Sequence, residues 1–334
     1  MHHAAALERA CRAQSSPAHK NVLELDRATS IFAVRRGAND MIERVVLESE
    51  GCKLVGRLHL PQGASATSPL PAVVIGGSWL TVKEQMAARY AERLASDGIA
   101  ALTFDFRGFG ESEGAPRQHE SPAKKAADFV AAARFLAARP EVSRVGALGV
   151  CASAGYLVKA IAEHALPVAS LVTVAAWLHD ASIVRAFYGG EDGVAGRLAA
   201  AARASADETI PAASATDPRA AMFGPFDYYL SPSRAAIPAW RNEMTTRSWH
   251  DWLSFDPIAL GARVHVPSLH VHSRAAATPM GLERMLATMR EPTPRVIWRD
   301  GDQFAFYDDE PTVRAAASDA AAFFRETLVE GGAR

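Results

Sequence analysis

The sequence predicts an α/β fold built on a doubly wound, mostly parallel sheet. Short, nearly continuous apolar runs alternate along the chain with helical patterns, and strands that helices cover on both faces need such runs. The runs are residues 72–75, 99–104, 145–150, 170–176, 267–271 and 296–298. The helical patterns are residues 83–96, 122–138, 153–164, 280–289 and 312–327. In sheets of this kind, the loops that carry function gather at the carboxyl ends of the strands.

The alternation of strands and helices is interrupted after the run that ends near Trp177, and this divides the chain into parts. The parts are an N-terminal arm (1–40), a core (41–180 and 256–334) and a helical lid inserted over the strand ends (181–255). The arm lacks the apolar stretch of a signal peptide. The core opens with a strand pair, 41–47 and 54–60, joined by a turn at Glu50 and Gly51. The aromatic-rich lid indicates an apolar or aromatic substrate body.

Charge and cysteine content narrow the class of ligand. The 36 basic and 37 acidic residues leave a formal net charge of −1, which gives no reason to expect nucleic acid or a membrane as partner. The expected partner is a small-molecule carbonyl substrate, and the arm and the lid are candidate surfaces for a homodimer. The three cysteines lack metal-binding or redox spacing, so we expect no disulfide framework and a cytoplasmic location. No metal-binding or dinucleotide-binding motif occurs, so no cofactor is expected.

An apolar strand, a turn of small residues and the start of a helix follow one another in residues 145–155. This is the setting of a nucleophile elbow, where the nucleophile needs small residues two positions before and two positions after it. Cys151 meets this condition with Gly149 and Ser153, and Ser153 meets it with Cys151 and Gly155. Because the turn should follow the strand directly, Cys151 is preferred, and Ser153 stays a candidate for contact with substrate. A buried, inert cysteine is the alternative.

Two further motifs accompany the elbow. Residues 105–112 read DFRGFGES, which matches the pattern DxRGxGxS, and residues 76–79 read GGSW after the run at 72–75. Over residues 42–328 the sequence resembles the α/β-hydrolase superfamily, and within it the dienelactone-hydrolase-like branch that carries cysteine at the elbow. The resemblance implies the α/β-hydrolase fold with an inserted lid.

The resemblance also implies a chemistry for the elbow. Cys151 would attack an acyl carbon, and two backbone amides would hold the oxyanion that forms. One of these amides is that of Ala152, and the other belongs to Ser78 or Trp79 in the GGSW loop.

Two positions of the superfamily's catalytic triad lack their usual residues. Where the family has histidine in a segment like HFxxYD, residues 303–308 read QFAFYD, so Gln303 stands in its place. The acid is expected in residues 272–277, which contain no carboxylate. Gln303 can orient water or a carbonyl but cannot take a proton near neutral pH. Cysteine tolerates this loss better than serine, because a helix N-terminus is expected to lower the thiol pKa.

Four other residues are candidates for the site. Glu84, just after the GGSW loop, could supply the missing base, or it could stabilise the start of its helix. His179 follows a strand after which some superfamily members carry their acid, or it belongs to a lid hinge. His119 either contacts substrate or is a solvated loop residue. Trp249 either faces substrate or packs within the lid.

Together these observations predict a cofactor-independent hydrolase acting on a small ester, thioester or lactone. The missing base and acid also suit a non-hydrolytic catalyst, such as a lyase, isomerase or cyclase, in which the oxyanion hole polarises a carbonyl without covalent attack. A protein that binds such a ligand without turnover is the third interpretation.

Overall fold

The computed structural model describes residues 33–35 and 40–329, so most of the predicted N-terminal arm lies outside the described residues. The strands are β1 (Ala33–Arg35), β2 (Asp40–Ser49), β3 (Cys52–Pro61), β4 (Leu70–Gly76), β5 (Ala100–Phe104), β6 (Val142–Val150), β7 (Leu171–Val174), β8 (Thr209–Ile210), β9 (Ala213–Ser214), β10 (Met222–Phe223), β11 (Met244–Thr245), β12 (Ser268–His272) and β13 (Arg295–Trp298). The α-helices are α1 (Met86–Ser96), α2 (Pro122–Ala137), α3 (Ala152–His164), α4 (Ala181–Phe187), α5 (Gly190–Arg203), α6 (Asp227–Leu230), α7 (Ser248–Leu253), α8 (Pro279–Thr288), α9 (Ala305–Asp308) and α10 (Glu310–Phe324). None of these helices is long and apolar enough to cross a bilayer.

Within the described residues, nine strands form the central sheet in the order β1-β2-β3-β5-β4-β6-β7-β12-β13. The pairs β1–β2, β2–β3 and β3–β5 are antiparallel, and every pair from β5 onward to β13 is parallel. The predicted doubly wound, mostly parallel sheet is therefore confirmed. The chain reverses its direction across the sheet at β4, and Gly76 at the end of β4 pairs in register with Gly149 of β6. Loops after β4 and β6 thus meet where such sheets usually bind ligands.

The local predictions hold with small shifts at the ends of elements. The strand pair around Glu50 and Gly51 is present as β2 and β3, and both turn residues have positive φ, 46° and 79°. The helix expected from residue 83 begins at Met86, because the Gln85 side chain accepts a hydrogen bond from the Val82 amide (2.9 Å) and closes a turn there. The last helix ends at Phe324 and continues as a π-helical turn.

The segment between β7 and β12 contains helices α4 to α7 and two short strand pairs, β9–β10 and β8–β11. Buried hydrogen bonds join it to the core. Trp240 Nε1 donates to the carbonyl of Leu80 (2.8 Å), and Gln85 Nε2 donates to the carbonyl of Ala235 (2.8 Å). The assignment of residues 181–255 as a lid stays a prediction, and so do its boundaries.

The DxRGxGxS loop has a structural role. Asp105 accepts from the backbone amide of Lys83 (2.9 Å) and from its Nζ (2.7 Å). Arg107 Nε donates to Asp128 on α2 (2.8 Å), and the Ser112 hydroxyl donates to the Asp105 carbonyl (2.6 Å). Satisfied buried polar groups of this kind fix a loop in one conformation. The loop therefore ties the end of β5 to α2 and to the turn before α1.

Gly149 is expected to be essential for the packing of α3 on β6. A Cβ at this position would lie 2.7 Å from the amide nitrogen of Ala154, and backbone atoms cannot move aside cheaply. Gly149→Ala should therefore lower the free energy of unfolding by about 3 kcal/mol or more, as measured by urea denaturation.

Gly196→Ala is the matched control. Nothing lies within 4 Å of a Cβ at this position in α5, so the change should raise stability by about 0.5–1 kcal/mol. A Gly149→Ala variant as stable as the native protein would contradict the close packing described here.

Candidate active site

Cys151 sits at the junction of β6 and α3 in a conformation that side chains rarely adopt. Its φ is 55° and its ψ is −117°. Its amide donates to the carbonyl of Val174 (3.0 Å), and its carbonyl accepts from the amide of Trp177 (3.0 Å). Such a backbone costs about 1–3 kcal/mol and persists only where its surroundings impose it. The sharp turn therefore holds the Cys151 side chain at the carboxyl edge of the sheet, as a nucleophile elbow does.

Ser153 points in a different direction from Cys151. It lies in the first turn of α3, whereas Cys151 precedes the helix and has non-helical dihedral angles. Its side chain is buried against Gly76, where an added Cβ would lie 2.5 Å from the Ser153 hydroxyl oxygen. The described residues offer this hydroxyl no hydrogen-bond partner. The expectation that Ser153 contacts substrate is therefore corrected: it packs on the sheet and does not line the cavity described below.

Four groups face the sulfur of Cys151. They are the backbone amides of Trp79 and Ala152, the hydroxyl of Tyr307 and the side-chain amide of Gln303. Burial raises the pKa of the Cys151 thiol to about 11, and these four groups limit the rise without cancelling it. The Ala152 amide at the helix N-terminus lowers the pKa as expected, but loss of hydration outweighs it, so the net shift is upward. The thiol is protonated at neutral pH.

Gln303 follows β13, at the predicted position, and all its polar atoms are engaged. Its Nε2 donates to the carbonyl of Ala175 (2.8 Å) and to the hydroxyl of Tyr307 (3.0 Å), and its Oε1 accepts from the amide of Ala277 (3.1 Å). Its side chain is therefore fixed in one orientation. Gln303 holds the phenol of Tyr307 in place beside the sulfur.

A second tyrosine extends this network towards the GGSW loop. The hydroxyl of Tyr229 faces that of Tyr307 and shares a hydrogen bond of 2.6 Å with the Ser78 hydroxyl. Burial raises the pKa of both tyrosines well above the ordinary value, so both phenols are neutral. The Ser78 amide donates to Sδ of Met86 (3.3 Å). Of the two loop amides considered from the sequence, that of Trp79 therefore faces the thiol.

The thiol borders a cavity of about 330 Å³ whose walls are largely aromatic. Trp79, Trp177, Trp252 and Phe304 lie on these walls, and Trp79 stacks on Trp252 with ring centroids 4.5 Å apart. No Asp, Glu or His lines the cavity in the part of the chain that the structure describes. The volume is near the lower end of the range for small-molecule sites, roughly 300–1,000 Å³. The cavity suits a compact, apolar ligand.

Glu84 lies outside the cavity, which corrects its assignment as the missing base. Its Oε1 accepts from Arg57 (2.9 Å) and from Lys83 (2.9 Å). These two cations hold the carboxylate away from the cavity, at the turn before α1. Within residues 40–329, no cluster of three or more His, Cys, Asp or Glu side chains could hold a metal ion.

Neither candidate histidine lines the cavity. His119 Nδ1 shares a hydrogen bond of 2.7 Å with Thr245, so it joins the loop after β5 to the inserted segment. His179 Nδ1 accepts from Trp177 Nε1 (2.8 Å), and its Nε2 lies 3.2 Å from the carbonyl of Trp252. Burial lowers the pKa of His179 to about 4, so it is neutral. His179 thus positions two tryptophans of the wall instead of contacting substrate itself.

Trp249 is also one layer behind the wall. Its ring centroid lies 5.9 Å from that of Trp79 and 5.3 Å from that of Tyr188, and both of those residues line the cavity. Trp252, one helical turn later, faces the cavity instead. Trp249, the lid residue expected at the site, therefore does not line the cavity, whereas Trp252 does.

Sequence reasoning missed Tyr307 and Tyr229. A signal for Tyr307 was present, since it lies four residues after Gln303 and α9 (Ala305–Asp308) brings that position back beside it. Tyr229 belongs to the aromatic stretch of the inserted segment, but nothing in its spacing relates it to Ser78. Its place in the site depends on how the inserted segment packs on the core.

Comparisons with known proteins agree with this architecture. A model of the serine aminopeptidase S33 family matches residues 83–222. The crystal structure of hypothetical protein PA2218 from Pseudomonas aeruginosa has a TM-score of 0.73 at 24% identity, covering 92% of this chain and 100% of that chain. The chain has the α/β-hydrolase fold. Its nine-stranded sheet and its elbow are those of that fold.

Sequence relatives of this α/β-hydrolase-fold chain either have low identity over most of its length or match only part of it. The uncharacterized protein YcjY of Escherichia coli is 26% identical over 81% of this chain and 93% of its own length. PA2218 is 40% identical over 34% of this chain and 30% of its own length. Thiohydrolase aneE of Aspergillus aculeatus is 38% identical over 32% of this chain and 33% of its own length. The chain thus spans about a third of two of these relatives. The matches support a hydrolase-like enzyme.

Alkylation of Cys151 should report its buried, protonated state. In a Cys11→Ser, Cys52→Ser background, the rate of reaction with iodoacetamide should rise about tenfold per pH unit from pH 7 to about pH 10, because only the thiolate reacts. Mass spectrometry of quenched samples measures the rate. The same variant in urea should level off near pH 8.5, the ordinary thiol pKa. A plateau below about pH 9 in the folded protein would contradict a raised pKa.

Proposed function

We propose that the chain is a cofactor-independent hydrolase that acts on a small thioester, ester or lactone through Cys151. The observation that carries the proposal is the Cys151 thiol on a positive-φ turn, facing an aromatic cavity between the amides of Trp79 and Ala152. In this role the two amides form the oxyanion hole, and Gln303 and Tyr307 complete the site. The cysteine at the elbow is the reason for placing the chain in the dienelactone-hydrolase-like branch. A cytoplasmic location is expected, because the three sparse cysteines lack the spacing of a disulfide framework.

A proton relay through Tyr307 suits a site whose groups are neutral. As the sulfur bonds to the carbonyl carbon, the thiol proton passes to the Tyr307 oxygen, and Tyr307 gives its own proton to the departing alcohol or thiol. The phenol is neutral before and after this step, and the product is an acyl-Cys151 thioester. Water then attacks the acyl carbon and gives a proton to the Tyr307 oxygen, Tyr307 gives its own proton to the departing sulfur, and the carboxylic acid is released.

Thioesters are the substrate class that this site suits best. A thiolate leaving group has a pKa near 8.5, far below that of an alkoxide, so its departure needs less proton donation. That matters where no carboxylate or imidazole of the described residues lines the cavity. The name of the relative aneE, thiohydrolase, agrees with this choice.

A non-hydrolytic reaction is the second candidate, and the raised thiol pKa favours it. A thiol with a pKa of about 11 is a weak nucleophile at neutral pH. The same donors could polarise a bound carbonyl for a lyase, isomerase or cyclase step, with Cys151 as a hydrogen-bond donor. Turnover would then proceed with no acyl group on the sulfur.

Cys151→Ala should abolish turnover of a panel of aryl thioesters. Intact-protein mass spectrometry of the native enzyme, quenched in acid during turnover, should show an adduct of the acyl mass on Cys151. Ser153→Ala is the matched control and should keep both activity and adduct, because its hydroxyl is buried away from the cavity. Turnover without any adduct would favour the non-hydrolytic candidate, and full activity of Cys151→Ala would exclude a covalent role for the sulfur.

Tyr307→Phe should lower kcat/KM about 10²-fold or more for oxygen esters, and less for thioesters of the same acid, because kcat/KM reports acylation and a poor leaving group depends most on the relay there. The dependence of kcat/KM on leaving-group pKa measures this difference. Tyr228→Phe is the control, since Tyr228 packs on Tyr307 with ring centroids 5.0 Å apart but does not line the cavity. An equal loss for esters and thioesters would assign Tyr307 a purely structural role.

A further inference from the structure

Arg197, in α5, brings a positive charge to the wall of the otherwise uncharged cavity. The remaining lining residues of the described chain carry apolar, phenol, indole, amide or thiol groups. Arg197 Nη1 donates to the carbonyls of Tyr188 (2.9 Å) and Gly193 (3.0 Å). No carboxylate of residues 40–329 forms an ion pair with it, unlike Arg234 elsewhere in the inserted segment, which pairs with Asp308.

The two carbonyls engage one nitrogen and leave a particular edge of the guanidinium unused. Within the described residues, Nε and Nη2 have no hydrogen-bond acceptor, and this is an edge that can bind a carboxylate through two parallel hydrogen bonds. The rings of Tyr188 and Trp249 lie 5.3 Å and 5.1 Å from the guanidinium carbon and restrict its movement. Arg197 is therefore held ready for an anion before any ligand arrives.

We infer that Arg197 binds a carboxylate of the substrate, so that the substrate is a compact apolar or aromatic molecule with a reactive carbonyl at one end and a carboxylate at the other. The guanidinium is only partly buried, so an anion would displace water from the unused edge and gain two charge-assisted hydrogen bonds. A carboxylate there meets no opposing negative charge, because no Asp or Glu of the described residues lines the cavity. The identity of the reacting carbonyl rests on the proposed function, but binding of the carboxylate does not depend on turnover.

A purely structural role makes a different prediction. If Arg197 serves only to join α4 to α5 through the carbonyls of Tyr188 and Gly193, its loss weakens the binding of charged and neutral ligands alike. Recognition of a carboxylate instead makes the loss selective. A pair of ligands that differ only in that group separates the two roles.

Tryptophan fluorescence can follow binding, since Trp79, Trp177 and Trp252 line the cavity. The probes are 4-phenylbutanoate and its neutral amide. The native protein should bind the acid about tenfold more tightly than the amide, or better, and Arg197→Met should abolish that preference while binding the amide as before. Arg197→Lys should keep part of it, because a lysine retains the charge but not the two parallel bonds.

Arg185→Met, on the exposed side of the neighbouring helix α4, is the matched control and should leave the preference unchanged. Thermal melts confirm that each variant is folded. Equal affinity of the native protein for acid and amide overturns the inference, and so does an equal loss of both ligands in Arg197→Met.

Turnover separates this inference from the proposed function. S-phenyl thioesters of adipic acid, with the distal carboxylate free or as its methyl ester, form the substrate pair. Turnover with no preference for the free carboxylate overturns the role of Arg197 and leaves the hydrolase proposal standing. Selective binding of 4-phenylbutanoate with neither turnover nor a Cys151 adduct leaves the role of Arg197 standing and overturns the hydrolase proposal.

Discussion

The left-handed backbone of Cys151 is the constraint on which the rest of the site depends. Its φ of 55° is imposed by hydrogen bonds that join the elbow to the end of β7, through Val174 and Trp177. The turn is tight enough that the position beside Gly149 is filled by the backbone of α3, so a side chain there is excluded. Because β4 and β6 are neighbours in the sheet, the sulfur that this turn presents faces the loop after β4. The position of the sulfur beside the Trp79 and Ala152 amides is thus a consequence of sheet order and one strained residue.

The groups around the sulfur are neutral hydrogen-bond donors, and their neutrality determines where charge is stabilised in the site. Burial disfavours a resting thiolate and raises the pKa of Cys151 to about 11. The same dry surroundings strengthen each donor's interaction with a charge that develops on a bound carbonyl oxygen. Gln303 cannot act as a base, but it fixes the phenol of Tyr307, which can carry a proton. In the proposed reaction, the site would therefore stabilise negative charge that develops on the substrate oxygen better than negative charge on a resting Cys151 thiolate.

The fold could be predicted from sequence because buried parallel strands require continuous apolar runs and the elbow requires small residues at fixed spacing. The direction in which a side chain points could not be predicted from the sequence. Glu84 is close in sequence to the GGSW loop, yet the turn before α1 directs it to Arg57. His179 is close to the cavity but acts through the tryptophans that it holds. The sequence gives no direct sign that Tyr307 contacts the sulfur. That contact depends on the helical turn of α9 between Gln303 and Tyr307.

The inserted segment takes part in the site as fully as the core does. Tyr229 of this segment is hydrogen-bonded to Ser78 of the loop after β4, and Trp252 stacks on Trp79 of the same loop. A displacement of the segment would therefore disturb the residues whose amides face the sulfur, as well as the cavity walls. A shared fold does not fix a substrate, so the groups that the segment adds to the cavity wall would contribute selectivity in the proposed reaction, and Arg197 is the charged one among them. In that reaction, binding of the distal end of a substrate and alignment of its carbonyl would be coupled through one packed unit.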